Sequence, residues 1–214
     1  SRCQIYDFNR IEITEIVGQL QKIAKSEGIE AEEEALHIIA QKADGAMRDA
    51  LSIFDLISTF SSDNKITYEN TIKNLHILDY DYYFKITDAL ISEDMSTALL
   101  LFDEILRKGF EGSNFLVGLQ GHFRDLLVSQ KKETAVLIEV AGNIREKYLE
   151  QAGKSSPAFL LSGLNILNQA ELSYKMSKNQ RLHVELCLMK LAHLNQAFTL
   201  ASSENGAKKK VLSA

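Results

Sequence analysis

Residues that break or punctuate secondary structure are scarce in this chain. Proline occurs once, at Pro157, tryptophan is absent, and only 11 of the 214 residues are glycine. The chain also has little β-branched alternation, which argues against a mainly β protein. Because 45% of the residues are hydrophobic, a packed core is expected. The sequence therefore predicts an all-α protein.

Cysteine and long apolar runs are also scarce. Cys3 and Cys187 are too few and too far apart to form a disulfide framework, so we expect reduced thiols in a cytoplasmic protein. No stretch approaches the roughly 20 apolar residues that a membrane span needs. The N-terminus lacks the basic-then-apolar layout of a signal peptide. These features predict cytoplasmic localisation and no membrane partner.

An excess of positive charge is missing as well. The net charge is −5, and residues 1–62 carry 6 Lys and Arg against 11 Asp and Glu, whereas residues 63–214 carry 18 of each. No helix presents a basic face, which argues against a DNA-binding helical domain. We expect no salt-sensitive duplex binding by this chain.

Helical periodicity divides the first part into three short helices, predicted over residues 15–26, 31–43 and 47–59. Thr14 is the predicted cap of the first, and Gly28 its stop. Glutamates at 30 and 32–34 suit the start of the second helix, so we interpret them as solvated rather than metal-binding. A polar cluster at 61–64 predicts a domain boundary after residue 62.

The second part, residues 63–201, is predicted to be a longer helical array. We expect helices over 67–75, 81–92, 94–108, 113–128, 157–175 and 181–200, with one or two more in 133–152. The aromatic residues fall at helical spacing and are predicted to be core. The predicted caps are Thr67, Asp79, Ser113 and Ser156. Residues 202–214 read as a flexible polar tail.

One stretch combines a stop, a start and a cation. Asp44 is a predicted cap, Gly45 can adopt the backbone angles that end a helix, and Met47 begins the next apolar face. Arg48 then falls in the first turn, where the helix dipole already favours an anion such as phosphate. The alternative is an ordinary surface arginine.

Three motifs are similar to one family. Gly-Ala-Met-Arg-Asp-Ala-Leu-Ser at 45–52 resembles the sensor-2 motif of the tau/gamma subunit of the bacterial DNA polymerase III clamp loader, with Ala46 where the family has serine. Ser1-Arg2-Cys3 resembles that family's Ser-Arg-Cys element. Residues 175–186 resemble a third motif, in which Gln180 replaces proline. The resemblance runs from Ser1 to about Leu194.

This resemblance implies a lid domain at 1–62 and a collar domain at 63–201. It implies that Arg48, with Met47 beside it, contacts the phosphate of ATP, and that Arg2 is a catalytic arginine finger acting on the ATP of the adjacent subunit. The Mg-ATP would be held mainly by an upstream P-loop module, so Ser1 would lie inside a longer protein and this fragment alone would not hydrolyse ATP. Through the collar, the subunit would join other clamp-loader subunits and, as an assembly, act on the sliding clamp and primer-template DNA.

Other chemistry finds little support. Gly153-Lys154-Ser155 supplies half of a P-loop, but Tyr148 stands where the first glycine is needed and the preceding segment is helical. His183 and Cys187 are spaced as half of a zinc site, yet no second pair is near, so we predict packing and no metal site.

One alternative function is left open by the sequence. An all-helical interaction scaffold with no nucleotide role would use the same apolar helix faces and would leave Arg2 and Arg48 as surface residues. The sequence upstream of Ser1 discriminates between the two: a P-loop and a Walker-B strand there would favour the clamp-loader function.

Overall fold

Helices dominate the structure, which confirms the all-α prediction. The structure, a computed structural model, describes residues 9–61 and 64–197. Within those ranges the chain forms mainly α-helices, with short 3-10 segments and two strands of two residues each. In chain order these are α1 (Ile13–Glu27), β1 (Glu30–Ala31), α2 (Glu33–Lys42), α3 (Met47–Phe60), β2 (Lys65–Ile66), α4 (Tyr68–Asn74), α5 (Tyr80–Ile91), α6 (Met95–Arg107), α7 (Gly112–Ser129), the 3-10 helix (Ala135–Leu137), α8 (Gly142–Lys154), α9 (Pro157–Tyr174) and α10 (Gln180–Ala192).

The chain divides into two compact units. The first unit comprises the described residues up to Ile77 together with residues 139–144, and the second comprises residues 78–138 and those from 145 onward. The boundary expected after residue 62 falls inside the first unit. This unit extends further because α4 packs against α2 and α3.

In the first unit, α1, α2 and α3 form the expected three-helix bundle around one apolar core. Its fully buried members include Ile16, Leu20, Leu36, Ile39, Phe54 and Ile57. Gly28 ends α1 in the left-handed conformation, as predicted. The predicted cap at Thr14 is wrong, because α1 begins at Ile13 and Glu12 precedes it without a side-chain capping bond.

α2 begins later than the sequence predicted, because a short parallel strand pair precedes it. Glu30 and Ala31 pair with Lys65 and Ile66, and Lys65 Nζ lies 2.6 Å from Glu30 Oε2. This hydrogen bond lowers the pKa of the Glu30 carboxyl. The strand pairing brings Ile66 into the core, where it is fully buried. Glu30 and Ala31 are therefore strand residues and not part of the helix.

The second unit contains α5–α7, α8 from Arg145 onward, α9 and α10, around a core rich in aromatic side chains. Phe102, Phe115, Phe123 and Phe159 are almost completely buried, which confirms the prediction that the aromatic residues are core. One glycine allows close packing here: a Cβ on Gly163 of α9 would lie 2.5 Å from Phe123 Cε2 of α7. The close fit of α7 and α9 thus depends on a missing side chain.

Most predicted caps of the later helices are present. Thr67, Asp79 and Ser156 accept hydrogen bonds from first-turn amides of α4, α5 and α9. Ser113 is not a cap, because α7 begins one residue earlier, at Gly112, and Glu111 precedes it.

Two helix predictions in the second half need correction. Residues 133–152 form the 3-10 helix and then α8, which begins at Gly142. α10 ends at Ala192 rather than near 200; His193 is a turn, and helix resumes over 194–197. The predicted tail, 202–214, lies outside the described residues.

A buried polar network joins three helices of the second unit. His122 of α7 lies 3.0 Å from Tyr148 Oη through Nδ1 and 2.7 Å from Gln151 Oε1 through Nε2. The Gln151 amide donates to Phe84 O and to Asp88 Oδ1, so its oxygen accepts from His122 Nε2. Burial lowers the pKa of His122 to about 4, which keeps the ring neutral.

Candidate functional site

The turn that leads into α3 is built from two consecutive left-handed residues. Asp44 has φ +48° and Gly45 has φ +81°. Glycine adopts this conformation without steric cost, and aspartate is among the residues that tolerate it. The N–H of Ala46 donates to Ala43 O at 2.9 Å and closes the turn. α3 then begins at Met47, where the sequence predicted.

Residues 9–12 lie against this turn. Ile11 N donates to Gly45 O at 3.1 Å, and Arg10 Nη1 forms an ion pair with Asp44 Oδ1. Asp44 was predicted to cap free N–H groups of the turn that follows it. That prediction is wrong, because its carboxylate binds Arg10 and the residue that precedes α3 is Ala46, which has no capping side chain.

The first turn of α3 therefore keeps its amides available. Its first bond closes from Ala50 N to Ala46 O at 3.0 Å. The N–H groups of Met47, Arg48 and Asp49 have no hydrogen-bond acceptor among the residues the structure describes. Such unsatisfied amides carry the positive end of the helix dipole, and together they favour an anion at this helix end.

Arg48 adds a full charge to that positive helix end. Its side chain is exposed, and its guanidinium forms no ion pair or hydrogen bond within residues 9–61 and 64–197. Its carbonyl accepts from Ser52 Oγ at 2.9 Å, a bond inside the helix. An unengaged guanidinium beside free amides can bind an oxyanion through several charge-assisted hydrogen bonds.

Of the other two predicted site residues, Met47 and Arg2, the structure describes only Met47. Met47 is partly buried and packs against the core of the bundle, so its side chain helps to fix the first turn of α3. Its role in cofactor binding stays a prediction. Arg2 lies outside the described residues.

Comparison with known protein families covers both parts of the chain. Residues 15–57 match the model of the DNA polymerase III clamp loader subunit ATPase lid domain. Residues 66–204 match the model of domain III of the DNA polymerase III subunits gamma and tau. The chain belongs to the gamma/tau family of DNA polymerase III subunits. Its lid match contains Arg48.

Curated gamma/tau relatives cover nearly all of the chain. The tau subunit of Bacillus subtilis is 30% identical over 191 residues, which are 89% of this chain and 34% of the relative. The tau subunit of Escherichia coli is 24% identical over 205 residues, 95% of this chain and 31% of the relative. The chain thus spans about a third of the length of these relatives.

A solved structure supports the fold. The DNA clamp loader delta protein of Bacillus subtilis matches with a TM-score of 0.51 and 19% identity. The match covers 86% of this chain and 57% of that protein. The similarity is one of fold.

The third gamma/tau motif has a structural explanation in domain III. Asn179 caps α10 by accepting from Leu182 N at 3.0 Å. Arg181 donates to Asp103 of α6 and to Glu185 of its own helix, at 2.9 and 2.8 Å. With Gln180 in place of proline, α10 still begins directly after its cap. These residues hold α10 in place rather than forming a site.

The half P-loop in domain III is the end of a helix. Gly153 and Lys154 are the last residues of α8, and Lys154 pairs with Glu150 at 2.7 Å. Ser155 is buried, and its hydroxyl donates to Gln151 O at 2.9 Å. The segment has neither the strand nor the loop that cradles a phosphate, which agrees with the sequence analysis.

The pair His183 and Cys187 is engaged in packing. His183 Nε2 lies 2.9 Å from Ala170 O and 3.3 Å from Ser173 Oγ, both on α9. Cys187 is buried, and burial raises the pKa of its thiol to about 12. A neutral thiol and a committed imidazole nitrogen are poor zinc ligands, since a metal-bound cysteine must be a thiolate.

Sequence reasoning missed the contact that Arg10 makes. No local pattern shows that Arg10 meets Asp44, because the two residues are far apart in the chain and both look like surface charges. The one usable signal was Gly45, whose predicted helix-stop conformation leaves room for a crossing segment.

Among the described helices, none has the length and apolarity required to span a bilayer.

Proposed function

We propose that this chain supplies the lid and the collar of a clamp-loader subunit that responds to ATP. The observation that supports this most directly is the exposed guanidinium of Arg48, which has no partner among the described residues and stands at the uncapped start of α3. The Mg-ATP itself would be held mainly by a P-loop module, which this sequence does not contain. The free first-turn amides fit a phosphate group.

Arg48 would read the nucleotide state through the γ-phosphate. A guanidinium can donate two parallel hydrogen bonds to phosphate oxygens, and the dipole of α3 adds to the attraction. ADP lacks the γ-phosphate, so this bond would exist only in the ATP state. Because Arg48 belongs to the rigid helix α3, making or losing the bond would reorient the whole bundle. Met47 would support this by fixing the first turn.

Arg2 would complete a neighbouring site. The proposal is supported by the Ser-Arg-Cys motif, in which the arginine acts on the ATP of the adjacent subunit. Such arginine fingers can raise the rate of phosphoryl transfer by about 10³–10⁵. Hydrolysis would then require at least two subunits, so this chain alone would be inactive. The assembly would work in the cytoplasm.

The collar would join the other clamp-loader subunits through apolar side chains of α9 and α10. Large apolar residues are exposed on and between these helices: Leu161, Leu172, Met176, Leu182 and Leu186. Leu172 is 73% and Met176 82% exposed, which is typical of residues that a partner covers. The assembled loader would then act on the sliding clamp and primer-template DNA.

The experiment is ATP binding by a full-length subunit that carries Arg48→Ala. Loss of a charge-assisted bond is expected to weaken ATP affinity by about ten- to hundredfold. Arg48→Lys should retain part of the affinity, because it keeps the charge but loses the bidentate geometry. Lys22→Ala, which removes another exposed cation of the same unit, is the matched control and should bind as wild type.

Unchanged ATP affinity in Arg48→Ala would contradict the proposed role of Arg48. If assembly with other subunits persisted in that case, an interaction scaffold without a nucleotide role would be the better description. The exposed apolar residues of α9 and α10 favour that second function equally. Leu172→Ser tests them separately: we expect weaker subunit assembly by sedimentation, whatever the result for Arg48.

A further inference from the structure

The start of α3 lies close in the chain to a carboxylate that does not cap it. Asp44 stands just before Gly45 and Ala46, the residues that lead into the helix. Aspartate side chains commonly accept from backbone N–H groups a few residues later, and this is how they cap helices. Ala46 N already donates to Ala43 O at 2.9 Å, so Met47 N–H, the first amide of α3, is the group that Asp44 would cap. The Asp44 carboxylate pairs with Arg10 instead.

The backbone holds Arg10 at this carboxylate. Ile11 N donates to Gly45 O at 3.1 Å. Gly45 has a φ of +81°, and a Cβ there would lie 2.7 Å from Arg10 Cβ and 3.2 Å from Arg10 Cα. Arg10 is therefore placed against the turn by close backbone packing, independently of its charge.

The ion pair of Arg10 and Asp44 has little to offer the stability of the fold. The two side chains are 75% and 72% exposed, and ion pairs this exposed stabilise proteins only weakly. What the pair changes is the charge beside the first turn of α3, where Arg48 stands.

The charges around this turn balance only while Arg10 is counted. Residues 9–12 and 42–49 carry three cations and three anions, a net charge of 0: Arg10, Lys42 and Arg48 against Glu12, Asp44 and Asp49. Without Arg10 the net charge is −1. The surrounding part of the chain is also acidic, with 6 Lys and Arg against 11 Asp and Glu in residues 1–62. A phosphate at Arg48 would then approach a net negative surface, which repels it.

We propose that Arg10 is a positioning residue of the phosphate site at Arg48. Arg10 holds the carboxylate of Asp44 away from the first turn of α3 and offsets its charge. The amides of that turn and the guanidinium of Arg48 thereby stay available to the phosphate of ATP. This inference rests on the proposed function. Arg10 acts through Asp44 and does not itself touch the nucleotide.

The test is ATP affinity of the full-length subunit. Arg10→Ala releases Asp44 and should weaken ATP binding by about three- to tenfold, the effect of one uncompensated charge near a phosphate. Arg10→Lys keeps the charge and should bind nearly as wild type does. The matched control is Lys65→Ala, which breaks the exposed ion pair with Glu30 in the same unit. That pair lies at the opposite end of α2, about 15 Å away, so ATP affinity should not change.

Removal of Asp44 separates this role from a structural one. Asp44→Gly suits the φ of +48° and carries no carboxylate, so it should bind ATP at least as tightly as wild type. The double variant Arg10→Ala, Asp44→Gly should recover wild-type affinity although the ion pair is still absent. If the pair served only to hold the turn in place, the double variant would be as weak as Arg10→Ala.

Salt dependence gives a second readout. The deficit of Arg10→Ala comes from an exposed charge, so it should shrink as the ionic strength rises from about 0.05 to 0.5 M. Wild-type ATP affinity in Arg10→Ala, a double variant that is not rescued, or a deficit that salt leaves unchanged would each overturn the role of Arg10.

The failure of this inference is distinguishable from that of the proposed function. If Arg48→Ala weakens ATP binding and Arg10→Ala does not, only the role of Arg10 is wrong. If Arg48→Ala binds ATP as wild type does, both are wrong.

Discussion

The three bundle helices of the first unit begin differently from most helices of the second unit. In the second unit, most helix starts are capped by a side chain that accepts from a first-turn amide: Asp79, Asp94, Ser156 and Asn179. The three bundle helices of the first unit follow Glu12, Glu32 and Ala46, none of which caps its own helix. The bundle is held by its core instead, and at α3 the uncapped start lies beside an unengaged cation.

The units also differ in how they use their polar groups. In the second unit, a buried hydrogen-bond network joins His122, Tyr148 and Gln151. The first unit leaves Arg48 exposed and unbonded within the described part of the chain. A satisfied network makes a rigid body, whereas an unsatisfied cation is available to a ligand. This comparison fits the proposed function, in which the second unit would assemble with other subunits and the first would respond to the nucleotide.

The largest expected effect comes from breaking the core on which the uncapped bundle depends. Phe54 of α3 is completely buried. Phe54→Ala should destabilise the first unit by about 3–5 kcal/mol, through lost burial and the cavity left behind. Hydrogen exchange should show faster exchange in α1–α3 with protection retained in α7 and α9. Equal loss of protection in both units would show that they do not unfold separately.

The second effect is a pH dependence of the second unit. The pKa of His122 is about 4 in the folded state, below its ordinary 6.5, so the unfolded chain binds the proton first. The contribution of neutral His122 to the free energy of unfolding is therefore complete above pH 6.5. As the pH falls from 6.5 to 4, the free energy of unfolding should decrease by about 3 kcal/mol in all. Denaturant titrations across this range should show that loss.

His122→Gln gives the control for this prediction. The variant should be less stable at neutral pH, since the network is altered, but its stability should vary less between pH 6.5 and 4. An unchanged slope in the variant would mean that another group causes the pH dependence.

The third prediction compares two glycines of the second unit. Gly163→Ala should cost about 1–3 kcal/mol, because the new Cβ overlaps the buried ring of Phe123. Gly121→Ala lies within α7 with no atom within 4 Å of its Cβ, and should stabilise the protein by about 0.5–1 kcal/mol. Thermal unfolding measures both, and similar effects at the two sites would contradict the packing argument.

The smallest effects are expected from two substitutions, one that removes a helix cap in the second unit and one that adds a cap in the first. Asn179→Ala should lower stability by about 1 kcal/mol, through loss of the bond to Leu182 N. Ala46→Asp should stabilise the first unit by a similar amount, about 1 kcal/mol, yet weaken ATP binding. The new carboxylate would occupy the free amides and repel phosphate. Stronger ATP binding in Ala46→Asp would argue against an anion site at α3.

Helix periodicity predicted most of the fold because it depends on local sequence. The stop at Gly28, the caps at Thr67 and Asp79, and the start of α3 at Met47 all follow from side chains within a few residues. The strand pair of Glu30 and Lys65 could not be predicted in this way, because each strand has two residues and no period to detect.

In the candidate site, too, the features set by local sequence were predictable and the contact between distant residues was not. The position of Arg48 in a first turn follows from Gly45 and Met47, but the pairing of Asp44 with Arg10 does not. Aspartate is a residue type that often caps helices. Only the folded chain brings the distant cation Arg10 to the carboxylate of Asp44. Capping and ion pairing use the same carboxylate, so local sequence could not choose between them.

The most direct test of the account is the ratio of ATP affinity to ADP affinity in the full-length subunit. If Arg48 binds the γ-phosphate, Arg48→Ala should lower that ratio by about tenfold or more, since only ATP loses a charge-assisted bond. Lys22→Ala should leave the ratio unchanged. A ratio in Arg48→Ala equal to that of the wild type would contradict the account.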